Sequence, residues 1–389
     1  MSYNANESKK YLINSYNFID ITFEKGEGSY LIDDKNNRYL DFTSGIGVNI
    51  LGHANKDVIL AISEQANKLL HISNNYLNKN TILAAKNLCN LSGMNKVFFS
   101  NSGAESNEGA IKIARKYSYD KYGTKRGTIL TLKQSFHGRT MSTLKATGQE
   151  KFHKYFFPFP EGFKYAEANN FNSVLENLDN TVCAIMIEVI QGEGGIFPLD
   201  KKFVNNLIDL CEKRDILLIV DEVQTGIGRT GYFLAYQYYN IKPDIVTLAK
   251  GLGCGVPIGA ILCSEKTKDV ISYGEHGSTF GGNPFVTNVA NVILEKFFDD
   301  SFLQDINDKS KFMFKNLNNF KSENIVDIRG RGLMIGIEVK GDINKYVTNA
   351  RESGLLILTA GNNTLRILPP LNIEKKDLIK GLKILKKII

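Results

Sequence analysis

Six short apolar runs recur through the middle of the chain: VFFSN (97–101), TILTLKQSF (128–136), AIMIEVI (184–190), LLIVDEV (217–223), IVTLAK (245–250) and GAILCS (259–264). Runs of this length with little alternation predict strands buried on both faces. Between them the apolar positions fall into a period near 3.6. AESNEGAIKIARKYS places Ala110, Ile113, Ala114 and Tyr117 on one helical face, and KKFVNNLIDLCEKRD forms a second amphipathic stretch. Apolar strands separated by such helices predict an α/β fold, with a large, mostly parallel sheet covered on both faces. Ligands in sheets of this kind bind at the carboxyl ends of the strands.

The pattern changes near residue 285. DIRGRGLMIGIEV reads as a strand pair, GLLILTAGNNTLRILPPL as a hairpin and EKKDLIKGLKILKKII as a closing helix. A smaller α+β unit over 286–389 is expected, beside a large unit over 46–285. Residues 1–45 are strand-rich, with a DKNN turn, and are expected to join the smaller unit or reach a partner chain.

Composition adds few constraints. The 389 residues include 43% hydrophobic and 23% charged, enough for a sizeable core without a stapling device. The five cysteines form no C-x-x-C, and several lie in apolar runs, so they read as reduced core residues of a cytoplasmic protein. No H-E-x-x-H and no Cys/His cluster suggests a metal. The N-terminus lacks a signal-peptide core, and no apolar run approaches a membrane span. The net charge of +7 owes much to the terminal helix, where Leu378, Leu382, Leu385 and Ile389 recur among lysines. A docked surface helix explains that stripe better than a nucleic-acid or membrane contact. The modest positive balance also suits small anionic ligands.

Two motifs compete around residue 221. Gly226, Gly228 and Gly231 spell G-x-G-x-x-G, the form of a dinucleotide-binding turn. Such a turn opens a helix and is followed by an acidic residue about 20 positions on. Here the sequence after it is aromatic and only loosely helical, and Asp244 comes 13 positions after Gly231. The stronger signal is Asp221 at the end of one expected strand and Lys250 at the end of the next. A carboxylate in that position is costly to bury unless it has a partner. Pyridoxal phosphate requires such a pair: an amine for its aldehyde and a carboxylate for its ring nitrogen. Its phosphate suits free amides at a helix start, and Ser102-Gly103-Ala104 lies between a strand and a helix. Ser102 and Glu105 also form a capping box there.

The ordered set FFSNSGAESNEGAIKIAR, FHGRT, EVIQGEGG, LIVDEVQTGIGRTG, TLAKGLGCGVPIGA and HGSTFGGNP resembles the class III pyridoxal-phosphate aminotransferases, over about 26–371. The resemblance implies the type I fold of pyridoxal-phosphate transferases and a homodimer with shared active sites. Lys250 would bond to the cofactor and shuttle the proton, and Asp221 would pair with the ring nitrogen. Val223 and Phe136 would cover the two ring faces, and Gln224 would reach the ring hydroxyl. Ser102, Gly103 and Ala104 would hold the phosphate, joined by Thr279 of the second subunit. Arg139 would bind a carboxylate distal to the reacting amine, and Arg366 the α-carboxylate of glutamate or 2-oxoglutarate. Glu193 would mask Arg366 when the donor has no carboxylate there. Ser278 and Tyr16 complete the implied substrate contacts. The implied reaction moves the terminal amine of N2-acetylornithine to 2-oxoglutarate. Small residues around Gly45 and Ile46 favour this acylated donor over ornithine; succinylornithine and 4-aminobutyrate are further alternatives. An aminomutase or racemase shares the scaffold, but the Glu193 and Arg366 pair fits a two-substrate transferase.

Overall fold

The structure, a computed structural model, describes residues 5–389. At its centre is a seven-stranded sheet, numbered here β1 (Lys96–Ser100), β2 (Thr128–Leu132), β3 (Phe163–Ala166), β4 (Val182–Ile187), β5 (Leu217–Asp221), β6 (Ile245–Leu248) and β7 (Gly259–Cys263). The order is β1-β7-β6-β5-β4-β2-β3. β7 runs antiparallel to both its neighbours, and the remaining pairs are parallel. Every residue of β2, β4, β5, β6 and β7 is buried.

Successive side chains enter two different cores, as strand geometry requires. Ile219, Ile245 and Ile261 meet Ala110, Ile113 and Ala114 of the Gly103–Tyr122 helix on one face. Leu218, Val220 and Val246 pack on the other, with Val204 and Leu207 of the Lys201–Arg214 helix. Burial on both faces accounts for the unbroken apolar runs, each large side chain contributing about 1.5–3 kcal/mol. Gly123, at φ 72°, ends the first of these helices.

Three of the expected strands end early. β2 stops at Leu132, because Gln134 turns to φ 64° and bonds Gly148, leaving Phe136 in a loop beyond the sheet. β5 stops at Asp221, whose Oδ1 accepts the amide of Val223 at 3.0 Å. β6 stops at Leu248, and Lys250 follows in a tight turn at φ 45°.

The strands of residues 23–41 form a small sheet whose fourth member is Leu355–Leu356. Phe42 is fully buried against Gly381 of the terminal helix, where a Cβ would lie 2.2 Å from its ring. A second sheet joins Ile325–Arg331, Met334–Val339, Thr364–Ile367 and Leu358–Ala360, all antiparallel. The Pro284–Glu295 helix packs on Lys56–Ala66 and Lys79–Ser92. The terminal helix, Lys375–Ile388, buries Leu378, Leu382 and Leu385 as a docked amphipathic helix should. Among the described residues, no helix is long and apolar enough to cross a membrane.

Candidate active site

The carboxyl ends of β1, β2, β4, β5 and β6 open into one cavity of about 440 Å³. Its lining includes Ser102, Gly103, Ala104, Phe136, Arg139, Glu193, Asp221, Val223, Gln224 and Lys250. Ten residues proposed from sequence, on five separate stretches, are thereby brought to one place.

Asp221 stands at the base of the cavity. Its Oδ2 accepts from Asn107 Nδ2 at 2.7 Å and from His137 Nδ1 at 2.8 Å. A carboxylate can only accept there, so the His137 proton sits on Nδ1. Asn107 is itself locked, donating to the His137 carbonyl and accepting from Thr247 Oγ1 at 2.6 Å. The neighbouring Glu222 faces the opposite way, as the next residue beyond a strand must. It accepts from the Tyr236 amide and Thr225 Oγ1, and burial pushes its pKa up to about 7. Of the acidic pair, only Asp221 reaches the cavity.

Lys250 is the cavity's amine. Burial, helped by the Arg366 guanidinium, pushes its pKa down to about 8, against the opposing pull of Glu193, Asp221 and Glu188. A neutral amine is the nucleophilic form. The rate at which apoenzyme captures added pyridoxal phosphate should therefore rise with pH and level off above about 8. Stopped-flow absorbance checks this. A rate that keeps climbing with the ordinary lysine titration, near pH 10.4, would contradict it.

Above Lys250, Arg366 grips Glu193 with two bonds, Nη1–Oε1 at 2.5 Å and Nη2–Oε2 at 3.3 Å. Burial works to raise the Glu193 pKa, but the charges of Arg366 and Lys250 prevail and hold it below the ordinary range. Arg366 Nη1 also reaches Gln224 Oε1 at 3.3 Å. Arg139 is exposed at the rim, stacked 4.2 Å from the Phe152 ring and 5.6 Å from that of Phe136.

The Gly103–Tyr122 helix points its start into the cavity. Ser102 Oγ accepts the Glu105 amide at 3.2 Å, and Glu105 Oε2 accepts the Asn101 amide at 2.6 Å. That capping box leaves the first amides of the helix available to an anion. Gly103 is required by contact: a Cβ there would lie 2.6 Å from Val223 Cγ1. Gly103→Ala should push Val223 into the cavity and weaken cofactor binding about tenfold or more, read by titrating apoenzyme. Unchanged affinity would contradict that packing.

The remaining sequence-proposed residues lie outside the cavity lining. Tyr16 is 77% exposed and packs edge-on against Phe18. Thr279 is exposed, and Ser278 Oγ accepts from Asn101 Nδ2 at 3.1 Å. Three cavity residues escaped notice in the sequence: Asn107, His137 and Glu188. All lie inside motifs quoted for other members, so proximity to those members was the available signal.

The glycine fingerprint serves packing. Gly228 and Gly231 take φ of 80° and 85°, and a Cβ on either would strike Phe297 or Asn307. Between them Arg229 is buried and donates to the carbonyls of Leu333 and Pro369. No helix opens at these glycines, and none of them lines the cavity.

The cavity fits pyridoxal phosphate through its donor set. It offers a buried amine, a buried carboxylate with oriented partners, an aliphatic side chain and an aromatic ring, and a helix start. Comparison with known proteins agrees. The family model described as "Aminotransferase class-III" matches residues 11–389. The chain is 48% identical to acetylornithine aminotransferase of Haemophilus ducreyi, over 97% of this chain and 96% of that one. The ornithine aminotransferase of Toxoplasma gondii superposes with a TM-score of 0.92 at 31% identity, covering 98% of this chain and 93% of that one. The N-acetylornithine aminotransferase of Stenotrophomonas maltophilia superposes with a TM-score of 0.83 at 33% identity, covering 98% and 97%.

Proposed function

The chain belongs to the class III aminotransferases, and from that premise we propose that it moves the terminal amine of N2-acetylornithine to 2-oxoglutarate. The products are N-acetylglutamate 5-semialdehyde and glutamate, a step of arginine biosynthesis. The observation that carries the reading is the Glu193–Arg366 pair at the mouth of a lysine-bearing cavity. A donor reacting through a terminal amine brings no carboxylate to Arg366, so Glu193 stays and keeps that charge neutralised. 2-Oxoglutarate brings one, displaces Glu193 and takes the bidentate grip itself.

Bound pyridoxal phosphate supplies an electron sink for the bond electrons released at the reacting carbon. The chain supplies the rest. Asp221, held by Asn107 and His137, presents negative charge where the ring nitrogen needs it. Lys250 carries the proton from the donor carbon to the cofactor side and back. Val223 and Phe136 exclude water from the two faces of the ring. Arg139 meets the distal carboxylate of either substrate.

A homodimer belongs to the same reading, with Thr279 reaching the partner's phosphate site. It is supported by exposed apolar side chains, including Leu70, Tyr76, Leu77 and Phe280, the last next to Thr279. Work in the cytoplasm is supported by the cysteines, all free and four of them buried.

A donor panel tests the substrate: acetylornithine, ornithine, succinylornithine and 4-aminobutyrate, each with 2-oxoglutarate. Acetylornithine should show the highest kcat/KM. A higher value for ornithine would overturn the reading, and with it the inference that small residues at Gly45 and Ile46 leave room for the acyl group.

A further inference from the structure

Glu188 is buried, lines the cavity and has no part in the chemistry described above. Its two oxygens go to different loops. Oε2 accepts the amide of Phe136 at 2.9 Å, and Oε1 accepts the amide of Gly192 at 3.2 Å. The first loop carries the aromatic ring of the cavity, and the second carries Glu193. We propose that Glu188 is a positioning residue that ties these loops together and thereby sets how firmly Glu193 masks Arg366.

The Glu193 backbone is held from two sides. Its carbonyl accepts the Gly361 amide at 2.9 Å, and two residues on the Gly195 carbonyl accepts Arg329 Nε at 2.9 Å, both from the C-terminal sheet. On the other side stand the Glu188 bond to Gly192 and the bond from Gln191 Nε2 to the Lys133 carbonyl, at 2.8 Å. Gly192 fits against Gln224, where a Cβ would meet Oε1 at 2.5 Å. With the backbone pinned at both ends, Glu193 can leave Arg366 only by turning its side chain. The loop stays in place to receive it again. A buried carboxylate accepting two amides suits this task, because each bond is charge-assisted and neither oxygen is left unpaired. Burial and the nearby Asp221 push the Glu188 pKa up to about 7, so the tie stands at the cost of holding a charge out of water.

This inference rests on the reading of Glu193 as the mask of Arg366, and two readouts separate the tie from the mask. Glu188→Gln keeps one acceptor oxygen and turns an NH2 toward the other amide. Glu188→Asp keeps the charge but is one carbon too short to span both loops. In hydrogen exchange on the cofactor-free enzyme, peptides covering 134–138 and 189–194 should both lose protection in each variant, and the 103–122 helix should not. Exchange unchanged in either loop overturns the tie. In single-turnover kinetics on the loaded enzyme, kcat/KM for the terminal-amine donor should fall about tenfold, the weight of one charge-assisted hydrogen bond. The 2-oxoglutarate half-reaction should stay within about threefold, because it needs Arg366 unmasked. Equal losses in the two halves, with both loops loosened, would leave the tie standing and overturn its link to the mask.

Discussion

Replacing Lys250 with alanine should abolish turnover, with a loss of at least about 10⁴-fold. The enzyme should still bind pyridoxal phosphate, but without the visible absorption that arises when the cofactor is bonded to a lysine. The size of the effect follows from what surrounds the amine. Lys250 alone among the cavity residues carries an amine, and its pKa lies near 8 because burial and Arg366 disfavour the ammonium form. No other side chain in the lining can both bond to an aldehyde and return a proton to the same carbon. Asp221, Glu188 and Glu193 are acids, and His137 has its Nδ1 committed to Asp221. Added methylamine should restore part of the rate, since a small free amine fits the space left behind. A variant retaining more than a few per cent of the rate would show that the base lies elsewhere.

Asp221→Asn should leave the fold intact and lower kcat by about a thousandfold. Oδ2 of Asp221 accepts from both Asn107 and His137, and Oδ1 accepts from Val223. An amide oxygen can keep the first two partners only if its NH2 then faces the Val223 amide. The substitution therefore removes the charge that keeps a ring nitrogen protonated and also breaks the turn that sets Val223 over the ring. Cofactor affinity should fall along with kcat. A loss confined to KM would contradict the assignment, because it would mean that Asp221 only helps to hold substrate.

The central sheet was legible because β2, β4, β5, β6 and β7 are buried on both faces, so their apolar runs have no polar interruption to blur them. β3 was not: FKYA is short, half-buried and follows a proline-containing stretch, with no periodicity of its own. The strand ends were over-extended because residues such as Phe136 and Val223 are apolar for the cavity's sake rather than for the sheet's. Asp221 and Lys250 could be found from sequence because adjacent parallel strands must deliver their carboxyl ends to one crevice. Asn107, His137 and Glu188 could not, since their roles depend on hydrogen bonds to residues 30 to 114 positions away. The glycine fingerprint misleads for a related reason: its spacing records close packing against Phe297 and Asn307, which a sequence does not display. Thr279 and Tyr16 lie outside the cavity of a single chain, and their implied roles require contacts beyond it.

The most direct test is chemical. Borohydride reduction of the loaded enzyme fixes the cofactor permanently to whichever lysine holds it, and proteolysis with mass mapping then identifies the residue. The modification should fall on Lys250 alone; a cofactor fixed to any other lysine, or to none, would contradict the site described here.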